Sequence, residues 1–380
     1  MIESKLPHSG TTIFTRMSAL AARHQAHNLS QGYPDFDAPG PLREALARHV
    51  MGGDNQYAPM AGEPRLREQI ALQVERYRGV HCDADTEITV VPGATEGLFC
   101  AVMASVCAGD EVVVLDPCYD SYVPAIELAG GRAVRVPLLA GSFAVDWQRV
   151  EAALSPRTRM LMINSPHNPS GAVLDHEDLL HLETLARRHD LLIVSDEVYE
   201  HLVFDDKRHR SVLQYPGLRE RSFAVFSFGK TFCVTGWKTG YVIAPPALTI
   251  ELRKIHQYVA FVAVTPVQLA LADFMQSEPG YPATLAAFYQ AKRDLFCNAL
   301  AASRFQLQPS QGSYFQLLDY GAITRREDYR LCEDWTAEHG IASIPISIFY
   351  AEPPPQQLLR FCFAKSDDLL LQAAEILCRI

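Results

Sequence analysis

From Glu87 onward the chain alternates short, β-branched apolar runs with segments of helical period, and this alternation limits the fold more than any other feature. Strands are expected over residues 88–91, 111–115, 132–136, 160–164, 191–195, 223–227 and 239–243. Helices are expected between most of them, over 94–107, 121–129, 147–154 and 175–189. Strands that alternate with helices build a mostly parallel sheet covered on both faces. Near-continuous apolar strands, such as the L-L-I-V beginning at Leu191, agree with burial on both faces. The expected class is therefore α/β, with a large sheet of seven strands. After Pro246 a helical stretch runs towards Met275 and breaks near Pro266, where the backbone loses a donor. Beyond the turn formers of S-E-P-G-Y-P, at 277–282, helices are expected over 285–302, over 328–339 and from 367, with β-patches at 313–318, 341–345 and 358–363. This gives a large domain over 46–280. A smaller α+β domain spans 281–380, joined by an N-terminal arm, 1–45, with a helical patch at 14–24.

Composition excludes several classes of function. The chain has 380 residues and a net charge of −10. An acidic surface repels phosphate backbones, so nucleic acid is not an expected partner. The nine cysteines contain no C-x-x-C pair; this fits reduced thiols in a cytoplasm and gives no zinc spacing. The first residues show no export pattern. No run approaches the roughly 18 apolar residues of a membrane span. The expected location is cytoplasmic, with no metal.

In open α/β sheets, ligands bind outside the carboxyl ends of the strands. The residues that follow each expected strand are therefore the candidates. After 223–227 comes G-K-T-F-C-V-T-G-W-K. A lysine at the end of a buried strand is desolvated towards its neutral, nucleophilic form. Ser227, Lys230 and Lys238 place a hydroxyl and two cations in one segment, which suits a phosphate. The same segment also fits a surface turn with two solvated lysines. After 88–91 comes P-G-A-T-E, where Ala94 and Thr95 open a helix whose amides favour an anion or serve as an ordinary cap. After 111–115, Tyr119 fits either a ring stack or an edge packed between domains. After 160–164, Asn168 is an amide donor or part of an Asn-Pro turn. After 191–195, Asp196 is a carboxylate that is costly to bury unless paired. A protonated pyridine nitrogen would pair with it, and so would a helix start. Tyr199 lies three residues on. An anion cradle, an aromatic lid, an amide, a carboxylate and an amine at strand ends together match pyridoxal phosphate. Arg360, alone in the apolar run L-L-R-F-C-F, suits either a substrate carboxylate or an internal salt bridge. Tyr57, in an upstream loop, suits a phosphate, either in this chain or in a neighbouring subunit.

The ordered set N-L-S-Q-G-Y-P-D-F, N-Q-Y, G-A-T-E, P-H-N-P-S-G, S-D-E-V-Y, S-F-G-K-T-F-x-x-T-G-W-K-x-G and R-F-C-F-A-K resembles the class I/II aminotransferases of the aspartate aminotransferase fold. H-Q-Y and I-P-I-S-I-F-Y extend the likeness to the subgroup of bacterial methionine aminotransferases and kynurenine aminotransferase/glutamine transaminase K. The resemblance implies a fold type I pyridoxal-phosphate transferase, a homodimer with shared sites, and amino-acid and 2-oxo-acid substrates. It implies Lys230 as the Schiff-base lysine, Asp196 at the pyridine nitrogen, and Asn168 and Tyr199 at the ring oxygen. Ala94, Thr95, Ser227 and Lys238 would bind the phosphate, with Tyr57 from the other subunit. Tyr119 would stack on the ring. Arg360, beside the Gly32 backbone, would take the substrate carboxylate. Lys238 stands where aspartate aminotransferase has arginine, so that contact would not be bidentate. With no clear second arginine, Phe14, Tyr33, Tyr122 and Phe349 would form an apolar side-chain pocket. A C–S β-lyase on the same cofactor and a non-catalytic regulator are the competing readings.

Overall fold

The computed structural model describes residues 2–7 and 9–380. Near the N-terminus His27–Asn28 (β1) is a two-residue strand, too short to show in a sequence pattern. Seven strands form the main sheet: Ile88–Val91 (β2), Glu111–Asp116 (β3), Arg132–Pro137 (β4), Thr158–Asn164 (β5), Leu192–Asp196 (β6), Ser222–Ser227 (β7) and Gly240–Ile243 (β8). Their order is β2-β8-β7-β6-β5-β3-β4. Successive side chains on a strand face opposite ways. Accordingly Val112 and Val114 enter one core cluster and Val113 and Leu115 the other, on the two sides of the sheet.

The pairs among β3, β4, β5, β6 and β7 are parallel, while β8 runs antiparallel to both β2 and β7. The reason lies in the link at 228–239, which holds only a one-turn helix, Phe228–Thr231, and a 3-10 turn, Thr235–Trp237. Its twelve residues would just span a parallel crossover, but such a crossover is usually built on a full helix, which this link lacks. The chain instead doubles back, so the end of β7 and the start of β8 open onto the same rim. Helix Ala94–Ser105 lies against β6, β7 and β8. The closest approach is at Gly97, where a Cβ would stand 2.7 Å from Val242 Cγ2.

The remaining strands are Phe315–Asp319 (β9), Ile341–Ala342 (β10), Ile344–Pro345 (β11) and Leu358–Cys362 (β12). β11, β12 and β9 make an antiparallel sheet, and β10 pairs with β1. Helix Ile13–His24 packs on Asp328–Glu338, and Pro282–Ala299 on Asp367–Arg379. The arm thus packs with the C-terminal segment. The expected boundary at 45/46 falls inside helix Gly40–Gly52, which starts at a Gly-Pro pair and packs on Thr265–Ser277. No helix is long and apolar enough to cross a membrane among the described residues.

Candidate active site

One cavity of about 220 Å³ opens where the carboxyl ends of the parallel strands face the smaller sheet. Ala94, Thr95, Tyr119, Asn168, Asp196, Tyr199, Ser227, Lys230, Lys238, Arg360, Gly32 and Phe14 all line it. These residues come from the arm, from six segments of the large sheet and from β12, so only the folded chain brings them together.

Lys230 sits in the one-turn helix that follows β7. Burial pushes its ammonium down to about 8, and the nearby Lys238 cation acts in the same direction. Its Nζ donates to the Tyr314 hydroxyl at 2.8 Å and to the Gly32 carbonyl at 3.3 Å. Asp196 ends β6. Burial pushes its carboxyl up to about 6, while donation from Tyr122 and from the Val198 N–H and the field of Lys230 pull it down. The Tyr122 hydroxyl reaches Asp196 Oδ2 at 2.6 Å.

Arg360 is fully buried on β12. One guanidinium N–H group donates to Asn168 Oδ1 at 2.8 Å and another to the Ser30 carbonyl at 2.9 Å. The first bond fixes the Asn168 amide, so that its NH₂ is the group left to donate into the cavity. The guanidinium lies 3.9 Å over the Phe315 ring, and its Nε has no partner. Its two acceptors are neutral, so no internal salt bridge explains its burial.

Helix Ala94–Ser105 has no side-chain cap at its N-terminus. Gly93, before it, holds φ 84° and ψ 155°, a region essentially reserved for glycine. A Cβ there would lie 3.2 Å from Lys238 Nζ. Free helix amides, the Lys238 ammonium and Ser227 thus surround one small space, the arrangement that takes up a phosphate. Pyridoxal phosphate fits the donor set of this cavity. It would meet an anion cradle, a buried carboxylate for a ring cation, an amide donor, an amine and an unsatisfied guanidinium.

Four expected residues lie elsewhere. Tyr122 does not line this cavity; it is buried, and its hydroxyl donates to Asp196 Oδ2. Tyr33 is 44% exposed, with Lys365 Nζ 4.5 Å over its ring. Phe349 is buried behind Phe14, ring to ring at 6.0 Å. Tyr57 is 82% exposed, edge-on to Phe261 and outside this chain's cavity. Of the expected aromatic pocket only Phe14 lines the cavity, joined by Leu98, Val198 and Phe315. Tyr314, Asn164 and Gln31 had no place in the sequence-based site. Asn164 Oδ1 accepts from the Asn168 N–H at 2.7 Å, and Gln31 and Asn164 line the wall. The polar residue ending β5 was the available signal for Asn164.

The family model "Aminotransferase class I and II" matches residues 25–377. A methionine aminotransferase of Escherichia coli is 52% identical over 373 residues, covering 98% of this chain and 97% of that protein. A kynurenine–oxoglutarate transaminase of Dictyostelium discoideum is 33% identical, covering 96% of this chain and 93% of that one. A crystal structure from Escherichia coli, described as identifying a methionine aminotransferase function, superposes with a TM-score of 0.97. It is 51% identical, and the match covers 100% of both chains.

Proposed function

The chain belongs to the class I and II aminotransferases, pyridoxal-phosphate enzymes, and we propose that it moves the amino group of methionine and other neutral or aromatic amino acids to a 2-oxo acid. The observation that carries this reading is the meeting of Lys230, Asp196 and an unpaired Arg360 in one cavity. When bound, the cofactor supplies an aldehyde for the amino group and a ring that draws electrons from the α-carbon. Lys230 is the amine that binds it and then takes up and returns a proton at Nζ. Asp196, held by Tyr122, keeps the ring nitrogen cationic. Asn168 and Tyr199 donate to the ring oxygen, and Tyr119 covers the ring. Ala94, Thr95, Ser227 and Lys238 hold the phosphate, and Tyr57 of a second copy completes that contact in a homodimer. Arg360 clamps the substrate carboxylate beside Gly32.

The large domain begins with the helix at Gly40 in this reading, and the arm belongs to the small domain. The enzyme works in the cytoplasm. Preference for methionine is supported by the 52% identity to a methionine aminotransferase and by the apolar Phe14, Leu98, Val198 and Phe315 around the cavity. Burying a second ionised carboxylate among such groups without a partner costs more than the ~2–7 kcal/mol of a neutral polar group. Burying a thioether gains roughly 1.5–3 kcal/mol. The test is kcat/KM for L-methionine against L-aspartate with one fixed oxo acid. Methionine should lead clearly, and parity with aspartate would overturn the side-chain assignment. With an S-substituted cysteine, whose sulfur sits on Cβ, release of a thiol, ammonia and pyruvate in place of the transamination product would establish the β-lyase instead.

A further inference from the structure

Tyr314 lies just before β9 and is fully buried. Its ring packs edge-on to Tyr199 and Phe315, each with centroids 4.9 Å away. Its hydroxyl donates to the Gly32 carbonyl. A tyrosine hydroxyl has a single proton, so towards Lys230 the same oxygen is only an acceptor. Lys230 Nζ donates to it at 2.8 Å, and to the Gly32 carbonyl at 3.3 Å. A neutral amine has two N–H bonds and one lone pair. These two acceptors take both N–H bonds, and the lone pair is left facing away from them.

We propose that Tyr314 is a positioning residue for Lys230, fixing the amine so that its lone pair is presented to the cavity. The proposal rests on the reading of Lys230 as the working amine. It assigns to one hydroxyl two tasks, orienting the lysine and tying it to the arm backbone at Gly32. A purely structural tyrosine would need only its ring, because the packing against Tyr199 and Phe315 involves no hydroxyl. Desolvation holds Lys230 down to about 8, which keeps a neutral fraction available for orientation near neutral pH.

The test is Tyr314→Phe, which keeps the ring and removes the oxygen. In the cofactor-free protein, reductive methylation of Lys230 by formaldehyde and cyanoborohydride is followed by peptide mapping across pH. Asp196, Lys238, Arg360 and Cys362 also face this amine, and Tyr199 lies beside it; all are unchanged in the variant. The phenol oxygen favours the charged ammonium over the neutral amine, so its loss should move the labelling midpoint below that of the wild type measured alongside. In the loaded enzyme kcat should fall about tenfold, the scale of one lost hydrogen bond, with KM for methionine little changed. A wild-type midpoint together with a wild-type kcat overturns the proposal. Should the phenylalanine variant not fold, 3-fluorotyrosine at position 314 keeps the packing and weakens the acceptor, and an unmoved midpoint then overturns it. Borohydride reduction of the loaded wild-type enzyme separates the two readings. A label on a lysine other than Lys230 rejects the functional assignment, whereas the methylation profile still decides the role of Tyr314.

Discussion

Asp196 keeps a carboxylate where burial alone would protonate it, with the Tyr122 hydroxyl 2.6 Å away as its closest support. Replacing it by asparagine removes the negative charge and leaves the volume. Asp196→Asn should retain the cofactor and lose on the order of 10² in kcat, the size of one lost transition-state contact. A kcat within about threefold of wild type, an effect under ~1 kcal/mol, would reduce Asp196 to a structural cap. Lys230, Asp196 and Arg360 were legible in the sequence for one physical reason: each is a charged group in or just after an apolar strand, where burial demands a partner. Tyr314 was not, and Tyr122 was expected in the side-chain pocket, not beside Asp196. A tyrosine in an apolar run reads as core, and their hydroxyls find partners 74 and 84 residues away.

At the scale of elements, the cradle depends on how Gly93 turns the chain into helix Ala94–Ser105. Alanine there meets the positive φ and sits against Lys238 Nζ at 3.2 Å. Gly93→Ala should therefore weaken cofactor binding by about 5- to 150-fold, given the ~1–3 kcal/mol strain of that backbone region. Titration of the dialysed protein with pyridoxal phosphate measures this, and an unchanged affinity would remove the close-fitting cradle. All seven strands of the large sheet could be read from their apolar runs. The direction of β8 could not, because a period-two pattern is the same in either sense. The content of the link at 228–239, which holds no full helix, sets it. The β1–β10 pairing was equally hidden, since two residues carry no period.

For the whole molecule, Tyr57, Tyr258, Phe261 and Val264 stand 82%, 85%, 41% and 57% exposed. Tyr57 and Phe261 are in contact. An apolar surface of this kind calls for a cover, and in the proposed homodimer a second copy that receives Tyr57 at its cradle would supply one. Light scattering should give a dimer, and Tyr57→Phe should loosen the cofactor without separating the subunits. A fully active monomer at micromolar concentration would end that reading. The expected domain boundary at 45/46 lies within helix Gly40–Gly52, and that helix packs on Thr265–Ser277, more than two hundred residues away. The neutral partners of Arg360 have a further consequence. A chain of net charge −10 keeps a guanidinium and two lysine ammoniums around one interior space. The net charge repels small anions, and this interior space attracts them. Buffer carboxylates and phosphate would then compete with substrate, and binding to the folded form would raise its melting temperature with the logarithm of their concentration above Kd. The thermal stability of this protein is thus a gauge of what fills its site, and comparing variants requires the anion in solution to be held constant.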